Sequence, residues 1–226
     1  CLLTIWFGEM FKNKFFFIVF EGIEGSGKSY QSKKLYQSLK KKGLNVLLTR
    51  EPGGSPSAEK IRNLILTDYF SKNIKQQFDK YTDTLLYLAA RNEHIINKIL
   101  PAKKNKKIVI CDRFIDSTIS YQVYGKGVNK KFIDFIHKYI LKNIKPDLTI
   151  ILKVKISKAL KRLNQRKKKN RYDKFSKNFY LKAQKGFLNL AYKNNKKTYI
   201  FDNSVDGHKL EKNIKDLILK KLKING

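Results

Sequence analysis

Five short apolar runs divide this chain into near-equal parts. Phe15 to Phe20 is continuously apolar, the pattern of a strand buried on both faces. Asn45 to Thr49, Lys107 to Cys111, Asp147 to Leu152 and Thr198 to Phe201 read as four further strands. Between them lie stretches with helical spacing. Residues 31–42 place Leu35 and Leu39 at i, i+4 and stop at Gly43. Residues 79–100 repeat Leu85, Leu88, Ile95 and Ile99, and 129–142 are expected to turn Phe132, Ile133, Phe135, Ile136 and Ile140 inward. Residues 57–67, 157–165, 175–193 and 207–222 complete the helices, whereas 68–78 are polar and ambiguous. Alternation of this kind predicts an α/β fold, a five-stranded parallel sheet flanked by helices on both faces.

Chemistry enters at residues 20–30, where Gly22, Gly27, Lys28 and Ser29 fit G-x-x-x-x-G-K-[ST]. Glycines let successive backbone N–H groups converge on one anion, and the following helix adds the positive end of its dipole. The predicted phosphate cradle is therefore Gly22, Ile23, Glu24, Gly25, Ser26, Gly27, Lys28 and Ser29. Lys28 would reach the terminal phosphates and the Ser29 hydroxyl would ligate Mg²⁺. Strand, glycine loop and helix occur in the order that a three-layer P-loop NTPase fold requires.

Other candidates gather at predicted strand ends. Arg50 opens a stiff loop, Glu51-Pro52-Gly53-Gly54-Ser55-Pro56, beyond the second strand. Asp112 and Arg113 close the third strand; the carboxylate can hold Mg²⁺ and the guanidinium can clamp a phosphate. Ser117, Thr118, Tyr121 and Gln122 suit a base and sugar pocket. Tyr87 and Arg91 share a helix face, although alone they read as a core-edge tyrosine and a surface arginine. The run Arg166-Lys167-Lys168-Lys169-Asn170-Arg171 between two helices reads as a mobile cationic lid, spanning about residues 162–175.

Composition changes this picture little. The 226 residues suffice for one α/β domain, assigned to 10–226. Formal charge is +32, but lysine supplies 43 of the 50 basic residues and is spread over nearly every polar segment. That weakens the nucleic-acid reading which the charge alone would suggest. Cys1 and Cys111 make no disulfide framework, and His94, His137 and His208 read as ordinary polar positions without metal-ligand spacing. The first methionine is Met10, so residues 1–9 are expected to be a non-native or misannotated extension. Leu2 to Phe7 is too short to span a bilayer, and a cytoplasmic, membrane-free protein is expected.

Five ordered signatures resemble the bacterial thymidylate kinase family over nearly the whole chain. Phe20 to Ser29 resembles E-G-x-[ED]-G-x-G-K-[ST], and Thr49 to Gly54 reads T-R-E-P-G-G. Tyr87 to Arg91 resembles [FY]-x-A-A-R, Asp112 to Gln122 resembles D-R-x(3)-S-T-x-x-Y-Q, and Pro146 to Thr149 is P-D-L-T. The resemblance implies ATP + dTMP → ADP + dTDP with Mg²⁺, in dTTP synthesis, by a homodimer. It implies that Tyr87 stacks on thymine, Arg91 donates to its O4, Thr118 reaches N3 and Tyr121 presses on the deoxyribose. Glu24 would hold the 3′-hydroxyl or a metal-bound water, and Arg50 and Arg113 would position the dTMP phosphate. Family members carry a catalytic arginine either in the phosphate loop or in the lid. Gly25 occupies the loop position, so Arg166 and Arg171 are the expected lid arginines. Three residues depart from the pattern: Tyr30 after Ser29, with an expected effect on packing behind the loop, and Asn164 and Asn170 in the lid. The competing readings are another or broader nucleoside monophosphate kinase and an ATP-switched nucleic-acid binder.

Overall fold

The computed structural model describes residues 14–67, 78–167, 170–204 and 208–224. The 1–9 extension, most of the ambiguous 68–78 stretch, and Lys168 and Lys169 of the predicted lid lie outside the described residues. Strands β1 (Phe16–Glu21), β2 (Val46–Arg50), β3 (Ile108–Asp112), β4 (Leu148–Lys153) and β5 (Thr198–Asp202) form one sheet in the order β2-β3-β1-β4-β5. Each pairing is parallel, as predicted. Side chains alternate faces along each strand. Ile18, Phe20, Ile108 and Ile110 therefore join a core layer with Leu35 and Leu39, while Phe17, Val19, Val109 and Cys111 join the opposite layer with Ile95 and Phe114. Each such side chain stabilises the fold by roughly 1.5–3 kcal/mol on burial.

The helices are α1 (Lys28–Lys41), α2 (Pro56–Leu66), α3 (Lys80–His94), α4 (Ile115–Thr118), α5 (Lys130–Ile140), α6 (Ile156–Asn164), α7 (Lys177–Lys193) and α8 (His208–Lys221). α1 begins three residues before the predicted start, because Gly27 in a left-handed conformation caps it (φ 93°) and the phosphate loop feeds it directly. α3 continues through a π-helical turn, Ile95–Ile99, into Leu100–Lys104. α4 passes into a second π-helical stretch, Ile119–Gly125. Such widened turns re-aim side chains and recur at functional sites. Two expected core positions face outward instead: Leu85 on α3 and Phe135 on α5. On α5 the buried residues are Ile133 and His137, one turn apart, so Phe135 falls on the opposite side beside exposed Tyr139.

β1 lies between β3 and β4, and the chain leaves these strands toward the same end of the sheet. The crevice beyond the carboxyl ends of such strands is where open parallel sheets take ligands.

Candidate active site

The phosphate loop is closed by its own backbone and by two residues from distant elements. Arg162 on α6 donates to the Gly25 carbonyl (2.8 Å), and Asn203 beyond β5 donates to the Ser26 carbonyl (2.8 Å). Gly25 has φ +73°, and a Cβ there would lie 2.7 Å from the Ala159 carbonyl oxygen. A side chain at that position is thus excluded twice, by backbone conformation and by α6. Lys28 is buried and folds back, its Nζ donating to the Ile23 carbonyl (2.7 Å). Burial, with Arg113 nearby, lowers its pKa to about 8. Tyr30 does not pack behind the loop: it is exposed, with Lys34 over its ring.

The β3 exit supplies the opposite wall. Ser29 Oγ donates to Asp112 Oδ2 (2.5 Å), while the buried Asp112 Oδ1 has no hydrogen-bond partner in the structure. An unsatisfied carboxylate oxygen beside a hydroxyl, at the mouth of a phosphate loop, is a hard-oxygen donor set that suits Mg²⁺. Arg113 is held with φ 78°, in a left-handed conformation costly for a non-glycine residue. Its guanidinium donates to the Gly22 carbonyl (2.9 Å), Ser117 Oγ (2.9 Å) and Glu24 Oε1 (2.7 Å). Tyr121 donates its hydroxyl to the other Glu24 oxygen. Burial pushes the Glu24 pKa up, but Arg113 and Lys28 outweigh it and hold the carboxyl below its ordinary value.

Behind Arg113 stands Glu21, which the motif reading left without a role. It accepts from the Phe114 N–H (2.8 Å) and from Ser117 Oγ (2.6 Å). Burial, then the charge of Asp116, raises its pKa to about 7. Glu21 therefore fixes Ser117, and Ser117 fixes the Arg113 guanidinium.

Arg91 is buried in a polar network that the sequence did not announce. It donates to Glu51 Oε2 (2.8 Å), the Phe114 carbonyl (2.8 Å) and His137 Nε2 (2.8 Å). His94 donates from Nδ1 to Glu51 Oε1 (2.9 Å) and pairs through Nε2 with Thr49 Oγ1 (2.7 Å). Burial, with Arg91 adjacent, lowers the His137 pKa to about 3, so its ring stays neutral and accepts. His94 and His137 are thus not ordinary polar positions; they clamp the arginine and the Arg50–Pro56 loop. Their distance in sequence from Arg91 and Glu51 hid this.

A single open cleft brings the candidates together. Glu24, Lys28, Ser29, Arg50, Tyr87, Arg91, Asp112, Arg113, Thr118, Tyr121, Gln122 and Arg166 all line it. Gly22, Ile23, Gly25, Ser26 and Gly27 form the loop beneath without lining the cleft themselves. Arg62, Leu66, Phe114 and Tyr172 also line it and escaped the sequence reading. Arg62 donates to the Pro52 carbonyl (2.6 Å) beside Arg50, and Tyr172 packs edge-on to Tyr87 and Tyr121. Only their place after folding reveals Arg62 and Tyr172, since neither sits in a strand-end motif.

The two lid arginines part company. Arg166 lines the cleft and pairs with Asp173 (2.8 Å). Arg171 is not among the cleft-lining residues; it pairs with buried Asp83 and lies against the rings of Phe78 and Tyr172. Asn170 caps the turn Arg171–Lys174 reciprocally with Asp173, a local job for one of the departures from the family pattern.

Residues 20–214 match the family model described as thymidylate kinase. A thymidylate kinase of Wolbachia pipientis wMel is 47% identical over 180 residues, covering 78% of this chain and 85% of that protein. One of Mycoplasma capricolum subsp. capricolum is 39% identical over 211 residues, covering 92% and 97%. Among solved structures, the crystal structure of thymidylate kinase from Ehrlichia chaffeensis superposes with a TM-score of 0.70 at 33% identity, covering 91% of this chain and 98% of that one.

Proposed function

This chain belongs to the thymidylate kinase family, and from that premise we propose how its residues carry the transfer of a phosphoryl group from ATP to dTMP. ATP is the donor. Its phosphates lie on the N–H groups of residues 22–29, and Lys28 leaves the Ile23 carbonyl to meet them. Ser29 and Asp112 would hold Mg²⁺, which would supply neutralisation of charge on the donor phosphates. Arg113 and Arg50 orient the dTMP phosphate, with Arg62 beside them. Tyr87 stacks on thymine, Arg91 donates to O4, and Thr118 reads the N3 edge. Tyr121 and Glu24 bracket the sugar, and Gln122 completes the pocket floor.

The attacking group is a phosphate oxygen of dTMP, already an anion, so no general base is needed. It forms a bond to the γ-phosphorus as the bond to the ADP oxygen breaks in line. Charge on the transferring group is met by fixed cations. Gly25 cannot carry one, which leaves Lys28 from below, Arg113 from the side and Arg166 from the lid. The observation that carries this reading is the convergence of Lys28, Arg113, Asp112 and Arg166 with Tyr87 and Arg91 on one cleft.

A homodimer is part of the proposal. Leu85 and Ile96 on the α3 side and Phe135 and Tyr139 on α5 are exposed, and the two helices pack together through Tyr81 and Phe132. A one-chain mass in analytical ultracentrifugation would overturn it. Among the described residues no helix is long and apolar enough to cross a membrane. We place the enzyme in the cytoplasm with its nucleotide substrates; cell fractionation that finds it elsewhere would contradict this. The acceptor assignment is tested by steady-state turnover of dTMP, dUMP, dCMP, dGMP and AMP with ATP. The highest kcat/KM is expected for dTMP, and a higher value for any other acceptor would sink it.

A further inference from the structure

Asp83 has no part in the chemistry above, yet it is fully buried. It sits on α3, one turn before Tyr87. Its carboxylate accepts from Lys126 Nζ (2.6 Å), the Tyr172 hydroxyl (2.9 Å) and Gln122 Nε2 (3.3 Å), and pairs with Arg171. Gln122 belongs to the π-helical stretch that follows α4, and Lys126 lies just beyond it. Arg171 and Tyr172 belong to the lid turn Arg171–Lys174. One carboxylate therefore joins three segments: the helix that reads the acceptor base, the wall beside the sugar, and the lid.

The contacts continue to the cleft in two directions. Tyr172 turns its ring edge-on to Tyr87 (5.9 Å between centroids) and Tyr121 (6.0 Å), so the lid turn walls the acceptor side of the cleft. The lid turn is stiffened by the reciprocal Asn170–Asp173 cap, and Asp173 holds Arg166 at 2.8 Å. A buried ion pair that loses one partner leaves an uncompensated charge, so removing either partner should loosen the lid turn from α3.

We propose that Asp83 is a positioning residue for phosphoryl transfer: it latches the lid turn, through Arg171 and Tyr172, onto the helix that binds the acceptor base. On this account Arg171 anchors the lid and Arg166 is the cation delivered. The lid docks against the acceptor half, so loss of the latch is read in the acceptor's KM. This rests on the dTMP kinase reading above.

The test compares Asp83→Asn, Arg171→Ala and the double variant with the wild type, varying ATP and dTMP separately. Asp83→Asn should raise the KM for dTMP about tenfold and lower kcat, with the KM for ATP unchanged within about twofold. The effect of Arg171→Ala should largely disappear in the Asp83→Asn background. A purely structural Asp83 would lower only the fraction of active enzyme, which reduces kcat and moves neither KM. Unchanged KM for dTMP, or additive single effects, overturns the latch. Should Asp83→Asn fail to fold, Tyr172→Phe decides. It removes one hydroxyl, and a rise of about threefold in the dTMP KM is expected; no rise overturns the proposal. If the wild type prefers another acceptor, the same comparison is made with that acceptor. The latch then stands or falls on it, while the dTMP reading fails alone.

Discussion

The donor half and the acceptor half of the cleft are held in place by different physics. The donor half is a backbone object. Gly22, Gly25 and Gly27 take positive φ values, and the loop carbonyls are pinned by Arg162 and Asn203. The acceptor half is a side-chain object, in which buried carboxylates fix arginines. Glu51 holds Arg91, Glu24 holds Arg113, and Asp83 holds Arg171. A backbone site tolerates no added bulk but depends little on the ionisation of its neighbours. A site made of buried charge pairs tolerates some change of shape and fails when one partner is lost.

The largest effect should come from breaking the backbone object. Gly25→Arg supplies the cation that other family members carry in the loop, yet its Cβ would press on the Ala159 carbonyl. Activity is expected to fall about 10²- to 10³-fold, as when a preorganised anion site is lost. Activity equal to wild type in a coupled ADP-release assay would show that α6 yields and that the two halves differ less than described.

A smaller and more selective effect should follow in the acceptor half. Glu51→Gln removes the charge that orders Arg91 and His94 while keeping the shape. The KM for dTMP should rise about tenfold, with the KM for ATP little changed. Equal rises in both would mean that the two halves are not held separately.

The smallest effect is a pH limb. The Lys28 pKa is lowered to about 8 by burial and by Arg113. The lysine is charged below that value and loses its charge as pH rises through it. Accordingly kcat/KM for ATP should fall above about pH 8, whereas kcat should not, because bound phosphate restores the charged form. A flat kcat/KM for ATP from pH 7 to 9.5 would contradict the buried, folded-back lysine.

The same contrast explains what could be read from the chain. Backbone-built features are local in sequence. Phe16–Glu21, the glycine loop and α1 follow one another directly; the first four strands are displaced by a single residue from their expected positions and the fifth is longer by one at its end. The side-chain networks are not local. Glu51 meets Arg91 across 40 residues, Arg91 meets His137 across 46, and Tyr172 meets Asp83 across 89. No periodicity or spacing encodes such meetings. His94 and His137 therefore read as ordinary polar residues, Phe135 as core, and Arg62 and Tyr172 not at all. The π-helical stretch Ile119–Gly125 was equally hidden, because its widened turn answers to packing against α7 rather than to a local pattern.

Joining the halves is the lid, and the central claim is that it delivers the cation which the loop lacks. Single-turnover transfer from γ-labelled ATP to saturating dTMP, followed by rapid quench with Arg166→Ala, tests this most directly. The account predicts transfer slowed about 10²-fold, with both nucleotides still bound. Transfer at the wild-type rate would contradict it.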